Sequence, residues 1–184
     1  VVTISVDAPS VGGTVDGSTT VCTFANSGTL NLIGYTGTIV KWQSSDVSDF
    51  SVGVLDIPNT SATLSYLDLS GDTYYRAVVA SGVCDQAFSS PAAILVQNPA
   101  IGGSVTGSTT VCYGDNSGVL TLSGQSGKIL GWEYSLNNFI TAGIPVANTT
   151  ATLNYSDLLT TTYYRAVIAG GVCGDAYSSV AEVD

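Results

Sequence analysis

Four cysteines are the residues of this 184-residue chain with the clearest chemistry. They stand at positions Cys22, Cys84, Cys112 and Cys173. Paired thiols form disulfides and clustered thiolates bind zinc, so both kinds of site have to be considered. The chain has no CxxC pair and no histidine, which argues against zinc. The cysteines therefore predict disulfide bonds, with three possible sets of pairs until another feature chooses between them.

A second group of candidate residues is acidic. Asp46, Asp49 and Asp56 lie close together in the first half of the chain. Carboxylates and carbonyl oxygens are the ligands that Ca²⁺ prefers. These three residues leave open one calcium site, whereas no other cofactor and no transition metal is expected.

Other kinds of chemistry lack the residues that they need. Without histidine the chain has no Ser-His-Asp or Cys-His arrangement, and it has no repeated carboxylate pair, so we do not expect an enzyme. Lysine and arginine total four against fourteen acidic residues, a net charge of -10. This balance disfavours nucleic acid as a partner. The chain also lacks an apolar run of about 20 residues, so no membrane insertion is expected.

An internal repeat defines the elements that must position these residues. The stretch Gly17–Cys22 recurs 90 positions later as Gly107–Cys112, and Trp42 recurs as Trp132 at the same shift. After the tryptophan the shift falls to 89, as it is between Cys84 and Cys173. One residue is therefore missing from the second copy in this segment. The repeat predicts two modules, residues 1–97 and 98–184, with neighbouring repeats of the same chain as the first partners.

The repeat also selects one set of cysteine pairs. Equivalent cysteines of adjacent modules would lie about one module length apart, whereas a disulfide needs a Cα separation of roughly 4.4 to 6.8 Å. The predicted bridges are therefore Cys22–Cys84 and Cys112–Cys173, one inside each module. Disulfides of this kind indicate an oxidising, extracellular compartment.

Short runs rich in Val, Ile, Thr, Tyr and Leu, separated by Gly, Asn, Asp and Ser, predict β-strands. No stretch has a sustained helical period beyond a short turn at residues 66–69. The fold class expected is all-β, two tandem immunoglobulin-like antiparallel β-sandwich modules, each with one intramodule disulfide. Residues 1–6 fit either the first strand of this module or the last strand of a preceding repeat. The strands predicted in the first module cover residues 1–6, 30–33, 39–43, 62–66, 74–80 and 92–96.

Alternation along the strands predicts which side chains face inward. Val40 and Trp42 would share one face, and Tyr75 would share another with Ala77 and Val79. Because a module of this size needs large apolar side chains, we place four aromatic residues in the core. These are Trp42, Trp132, Tyr75 and Tyr164. The cations shared by both modules, Arg76 and Arg165, are expected to lie across a tyrosine or tryptophan face on the outer side of the sheet.

Five segments of the chain are distinctive in combination: GSTTVC at residues 17–22, NSG at 26–28, GTIVKWQSS at 37–45, TYYRAVVASGVC at 73–84 and SS at 89–90. Together they resemble the repeats of giant Bacteroidetes cell-surface adhesins, among them the adhesins of gliding motility. The resemblance covers nearly all of both modules. It implies export by type IX secretion, a filament on the outer cell surface and attachment to the substratum.

Two functions remain after these exclusions. One is a structural and adhesive repeat that extends a surface filament. The other is a carbohydrate- or protein-binding module that uses the loops after Trp42 and Trp132, residues 44–59 and 135–148. The candidate ligand-loop residues are Asp46, Asp49, Asp56, Asn137 and Asn138. A surface polysaccharide or the substratum would then be the partner.

Overall fold

Short β-branched and aromatic runs form the strands of an all-β protein, as the sequence predicts. The computed structural model describes residues 2–4 and 6–184. Contacts divide the chain into two compact units, Val1–Gln97 and Asn98–Asp184. One 3₁₀-helix, Gly171–Cys173, is the whole helical content of the described residues.

The first unit is built from two sheets. Its strands are β1 (Thr14–Asp16), β2 (Thr19–Cys22), β3 (Ser27–Ile33), β4 (Thr38–Ser45), β5 (Leu55–Ile57), β6 (Thr63–Leu67), β7 (Thr73–Ala80), β8 (Ala87–Phe88) and β9 (Ala92–Gln97). One sheet has the order β1-β3-β6, and the other has the order β2-β9-β7-β4-β5 with β8 also paired to β7. The strand pairs are antiparallel, except that β2 runs parallel to β9.

The second unit repeats this plan. Its strands are β10 (Ser104–Thr106), β11 (Ser117–Ser123), β12 (Ile129–Ser135), β13 (Ile144–Val146), β14 (Thr152–Ser156), β15 (Thr162–Ile168), β16 (Ala176–Tyr177) and β17 (Ala181–Val183). One sheet has the order β10-β11-β14, and the other has the order β13-β12-β15-β16 with β17 paired to β15. The segment that corresponds to β2 is not a continuous strand, but it runs parallel to β17 through a bridge from Thr109 to Val183 and a hydrogen bond from Val111 N to the Asp184 carbonyl.

Each unit buries its own core between its two sheets. In β3 the side chains alternate, with Leu30 and Leu32 buried and their neighbours largely exposed. They pack in one cluster with residues of the opposite sheet, including Trp42, Ala77 and Val79. A corresponding cluster surrounds Trp132 in the second unit. A strand period of two therefore places one apolar face of each sheet against the other.

The two tryptophans are fully buried, and each indole N–H has an acceptor. Trp42 Nε1 donates to the carbonyl oxygen of Ser61 at 2.9 Å. The side chain of Asn59 holds that turn, since its Oδ1 accepts from Ser61 N at 2.7 Å. Trp132 and Asn148 form the same arrangement in the second unit. The repeated asparagine is thus explained by a turn that satisfies the buried indole.

A β-bulge changes the inward face that alternation predicts for β4. The pairing of β4 with β7 shifts register between Ile39 and Lys41. Ile39 is consequently buried together with Trp42, whereas Val40 is 39% exposed. The prediction that Val40 shares the face of Trp42 is wrong, because a bulge adds one residue and reverses the alternation.

The strand predicted over residues 1–6 is not present in the described part of that segment. Val1 and Ser5 lie outside the described residues, and residues 2–4 and 6 have no strand pairing. Val2, Ile4 and Val6 are each more than four-fifths exposed.

The predicted cysteine pairs are wrong. Cys84 and Cys112 are free thiols, while the disulfide-bonded cysteines are Cys22 and Cys173. Neither Cys22–Cys84 nor Cys112–Cys173 is therefore bonded in the structure.

The topology gives the physical reason for this correction. Cys22 pairs with Gln97, which lies beyond the residue of β9 that is opposite Thr73, the first residue of β7. Cys84 lies beyond Ala80, the last residue of β7. The two cysteines lie at opposite ends of an eight-residue strand. Such a strand is about 24 Å long, far more than a disulfide spans. The repeat shows which cysteines are equivalent, but it carries no information on this distance.

Candidate functional site

The loops that follow the tryptophan strands are the segments where the sequence predicts ligand binding. Each begins at a buried serine whose hydroxyl group organises the turn. Ser45 Oγ donates to the carbonyl of Val52 at 2.9 Å and accepts from Val47 N at 3.1 Å. Ser135 Oγ accepts from Phe139 N at 3.0 Å. Both loops are therefore folded back on themselves by their own polar groups.

The acidic residues of the first loop are not gathered into a metal site. Asp46 and Asp49 are exposed. Asp49 Oδ1 accepts from Ser51 N at 3.0 Å, and hydrogen bonds from Ser51 hold the pKa of Asp49 below its usual value. In the described residues no group of three or more acidic or cysteine side chains is placed to hold a metal ion. Asp49 thus shapes a turn, as short acidic side chains commonly do.

Asp56 lies on β5 and is occupied by two partners from β4. Its carboxylate accepts from Lys41 Nζ at 2.7 Å and from Gln43 Nε2 at 2.9 Å. These hydrogen bonds, with that from Lys41 the stronger, lower the pKa of Asp56 from its usual value. Asp56 therefore belongs to a network across the sheet and does not join Asp46 and Asp49.

The asparagines of the second loop also serve the loop itself. Asn137 Oδ1 accepts from Ser135 Oγ at 2.8 Å, and its Nδ2 donates to Thr141 Oγ1 at 3.0 Å. Asn138 has a φ of 52°, in the left-handed region that asparagine tolerates better than most residues. Both residues therefore have a role in the turn that needs no ligand.

The chief contact of the first loop is with Arg76, on the outer face of β7. The guanidinium group lies 4.2 Å from the ring centroid of Phe50 and 4.0 Å from that of Phe88. Its Nε donates to Gln43 Oε1 at 2.8 Å, and Gln43 in turn donates to Asp56. Two aromatic rings and one amide thus enclose the cation, an arrangement that we name the arginine clamp. Arg76 lies across aromatic faces as predicted, but both rings are phenylalanines and not the tyrosine or tryptophan expected.

The second unit has an arginine clamp with a different charge arrangement. Arg165 lies 4.0 Å from the ring centroid of Phe139 and 3.7 Å from that of Tyr177. Glu133 takes the position of Gln43 and accepts from Arg165 Nε at 2.9 Å. Both charged side chains of this pair are four-fifths buried. A direct ion pair therefore replaces the amide of the first unit.

Sequence reasoning missed the aromatic partners of the clamp and its neutral member. A signal was nevertheless present in the repeat. Where the first module has Lys41, Gln43 and Asp56, the second has Gly131, Glu133 and Pro145. The second copy lacks the charges of Lys41 and Asp56, and it gains the carboxylate of Glu133 beside Arg165. Three linked changes of this kind indicate one electrostatic network.

The tyrosines predicted for the core lie inside, each next to other tyrosines. Tyr75 and Tyr164 are buried, and this burial raises the pKa of both phenols. Tyr164 stacks with Tyr155 at a centroid separation of 6.4 Å, and Tyr134 lies at the same distance. Neither phenol meets a base or a nucleophile in these contacts, so their arrangement serves packing.

The arginine clamp is expected to stabilise its unit. Replacing Arg165 with alanine removes two cation–π contacts and leaves Glu133 without its partner, so we expect a loss of about 2 kcal/mol in the free energy of unfolding. Urea unfolding followed by far-UV circular dichroism measures this loss.

The matched control for this change is Lys128→Ala, which removes the same charge from an exposed position. It should change the unfolding free energy by less than about 0.5 kcal/mol. Equal effects of the two substitutions would show that the clamp contributes only net charge.

In each unit, two sheets stacked around a buried tryptophan form an immunoglobulin- or fibronectin-III-like β-sandwich module. The chain belongs to the family described as Domain of unknown function (DUF8696), whose model matches residues 11–98 and again residues 101–184. No curated protein sequence matches the chain. None of the helices in the described residues is long and apolar enough to cross a membrane.

Several solved structures are similar to this chain at low sequence identity. Domains A168–A170 of titin have a TM-score of 0.51 and 14% identity, over 95% of this chain and 65% of that chain. Extracellular domains 3–5 of Drosophila OTK have a TM-score of 0.48 and 11% identity, over 90% and 58%. The FN1–FN3 domains of chicken CNTN1 have a TM-score of 0.42 and 12% identity, over 95% and 64%. This chain spans about three fifths of the length of these structures, and at such identity the likeness concerns the fold alone.

Proposed function

We propose that this chain is a structural and adhesive repeat segment of a large secreted filament that attaches a gliding bacterium to surfaces. The observation that carries the proposal is the occurrence of one sandwich module twice in series, each with its own core. Modules of this kind extend a chain by repetition, because each needs little from its neighbours to fold. The motifs that resemble giant Bacteroidetes adhesins support the role in attachment and export by type IX secretion.

The state of the loops supports extension over recognition of a specific ligand. Polar side chains of both loops are used in turns, and an aromatic residue of each loop packs on the arginine of its own unit. A carbohydrate site commonly needs polar groups left free to bind the ligand. The loops after Trp42 and Trp132 therefore act mainly to close their own modules.

The disulfide-bonded state of Cys22 and Cys173 supports an extracellular location. Disulfides persist in oxidising compartments and are rare in the cytosol. A net charge of -10 adds to this, since it keeps a long exposed chain in solution.

Antibodies raised against the folded chain test the location and the role in attachment. We expect them to label intact cells of the source organism and to reduce attachment of those cells to glass. Serum depleted on the immobilised chain is the control. Labelling that requires permeabilised cells would contradict the proposal.

Beads coated with the purified chain separate a spacer from a binding module. A spacer should bind no polysaccharide of the source organism above the level of uncoated beads. Specific binding that is lost in a variant with Asn137→Ala and Asn138→Ala would replace the spacer function with a ligand-binding one.

A further inference from the structure

The two free thiols occupy complementary positions in the repeat. Each module has an early cysteine in the VC motif, before β3 in the first unit and before β11 in the second, and a late cysteine in the GVC motif. The early cysteine is disulfide-bonded at Cys22 and free at Cys112, whereas the late cysteine is bonded at Cys173 and free at Cys84. Each type of position is thus shown to form a disulfide in one copy of the module. The other copy presents the same position as a thiol.

The free late cysteine lies where the chain enters its unit. Cys84 Sγ is 3.5 Å from the carbonyl oxygen of Ala8 and 3.9 Å from that of Asp7. The adjoining Val83 is 96% exposed. This end of the unit therefore presents a thiol beside an apolar side chain that is in contact with solvent.

The free early cysteine lies where the chain leaves its unit. Cys112 is exposed, and the preceding Val111 donates its N–H to the carbonyl oxygen of Asp184 at 2.6 Å. Cys112 borders a cleft of ≈ 200 Å³ that also includes Tyr113 and Leu159. Both of these side chains are more than half exposed. A thiol at the edge of an apolar cleft is thus presented at this end.

We propose that the Cys84 end of one copy of this module docks on the Cys112 end of another copy and that the two thiols form a disulfide. The inference goes beyond the proposed function, since it names a covalent contact that joins modules in series. Within a unit the early and late cysteines lie at opposite ends of a strand about 24 Å long, so neither can reach the other. When the Cys112 end of one copy stacks on the Cys84 end of another, the two free thiols lie at the same junction. Val83 then enters the cleft beside Tyr113 and Leu159.

The bond forms by two thiol–disulfide exchanges with a disulfide oxidant, for which oxidised glutathione is the reagent in the test. The thiolate of Cys84 attacks glutathione disulfide and releases one glutathione thiolate. The thiolate of Cys112 then attacks the mixed disulfide and releases the second. Two protein thiols lose two protons and two electrons, and one glutathione disulfide becomes two glutathione thiols.

Complementation between two variants tests the proposal with the full chain. Cys84→Ser retains only Cys112 as a free thiol, and Cys112→Ser retains only Cys84. In a glutathione redox buffer the unchanged chain should form a ladder of linked multimers on non-reducing gels. The mixture of the two variants should stop at a mixed dimer, and peptide mapping should find the Cys84–Cys112 link. Each variant alone should give at least about tenfold less dimer, because its identical ends do not dock.

Val83→Asp separates docking from simple thiol reactivity. A charged side chain should not enter the apolar cleft, so the rate of mixed-dimer formation should fall about tenfold. Reaction of Cys84 with a small aromatic disulfide reagent should stay within twofold of the original rate, and circular dichroism should be unchanged. The proposal is overturned if the variants mix in the 1:2:1 proportion of random pairing, or if Val83→Asp leaves the rate unaltered.

Discussion

Replacing Trp42 with alanine is expected to unfold the first unit under conditions in which the original chain is folded. The indole is fully buried at the centre of its core, and its N–H is bonded to the Ser61 carbonyl. Loss of a buried tryptophan costs about 3 to 5 kcal/mol, and a lone module of this size has few kcal/mol to lose. The substitution leaves a cavity in the core, and it also leaves the Ser61 carbonyl without its donor.

The chain itself supplies the reporter for this experiment. It has two tryptophans, one in each unit, so Trp42→Ala leaves Trp132 as the only indole. Circular dichroism should show half of the β-structure lost at low urea, while Trp132 fluorescence should report a transition close to the original one. Val40→Ala, on the same strand but 39% exposed, is the control and should change stability by less than about 1 kcal/mol. A single transition in which both signals shift together would contradict separate cores.

The second large effect is expected from Gly12→Ala. A Cβ atom at this position would lie 1.9 Å from the carbonyl oxygen of Phe88 and 2.6 Å from Ser89 N. Both are backbone atoms that cannot move aside alone, because Ser89 Oγ accepts from the buried Ala77 N–H at 2.8 Å. Ser90 N also donates to the Gly13 carbonyl at 3.0 Å. The substitution must therefore break the contact that joins the entry of the module to its Ser-Ser segment.

We expect Gly12→Ala to lower the unfolding free energy of the first unit by about 3 kcal/mol. Urea denaturation monitored by circular dichroism gives the value. Gly71→Ala is the matched control, since its Cβ would have no atom within 4 Å. It should be neutral or slightly stabilising. If both alanine variants were equally stable, the close approach of Gly12 to Phe88 would contribute nothing to the free energy of unfolding.

The sequence could predict the fold class and the inward face of its most regular strand. Tyr75, Ala77 and Val79 all belong to the core cluster, whereas Val78 between them is buried outside that cluster. The same reasoning failed in β4 for Val40, because a bulge is a property of pairing with β7 and leaves no mark in the composition of the strand. The two-residue alternation of side chains therefore predicts the inward face of a strand only where its pairing register is regular.

The candidate site was less predictable than the core. Stacking of Arg76 and Arg165 on aromatic rings could be expected from their outward positions between apolar neighbours. Phe50 and Phe139 as partners could not, since each lies in a loop 26 residues before its arginine and only folding brings the two together. The cysteine pairs failed for a related reason. Equivalence by repeat says nothing about which ends of a sandwich two loops occupy.

The different charges of the two arginine clamps bear on how neighbouring copies of one module avoid exchanging strands while they fold. Repeated domains in one chain are prone to such misassembly. If β12 paired with β5, Glu133 would stand directly across from Asp56, in the position where Gln43 belongs. If β4 took the place of β12 between β13 and β15, Arg165 would lie opposite the amide of Gln43 and lose the carboxylate of Glu133. Either exchanged pairing has less favourable electrostatics than the correct one. The differences at these three positions therefore disfavour strand exchange between the two modules.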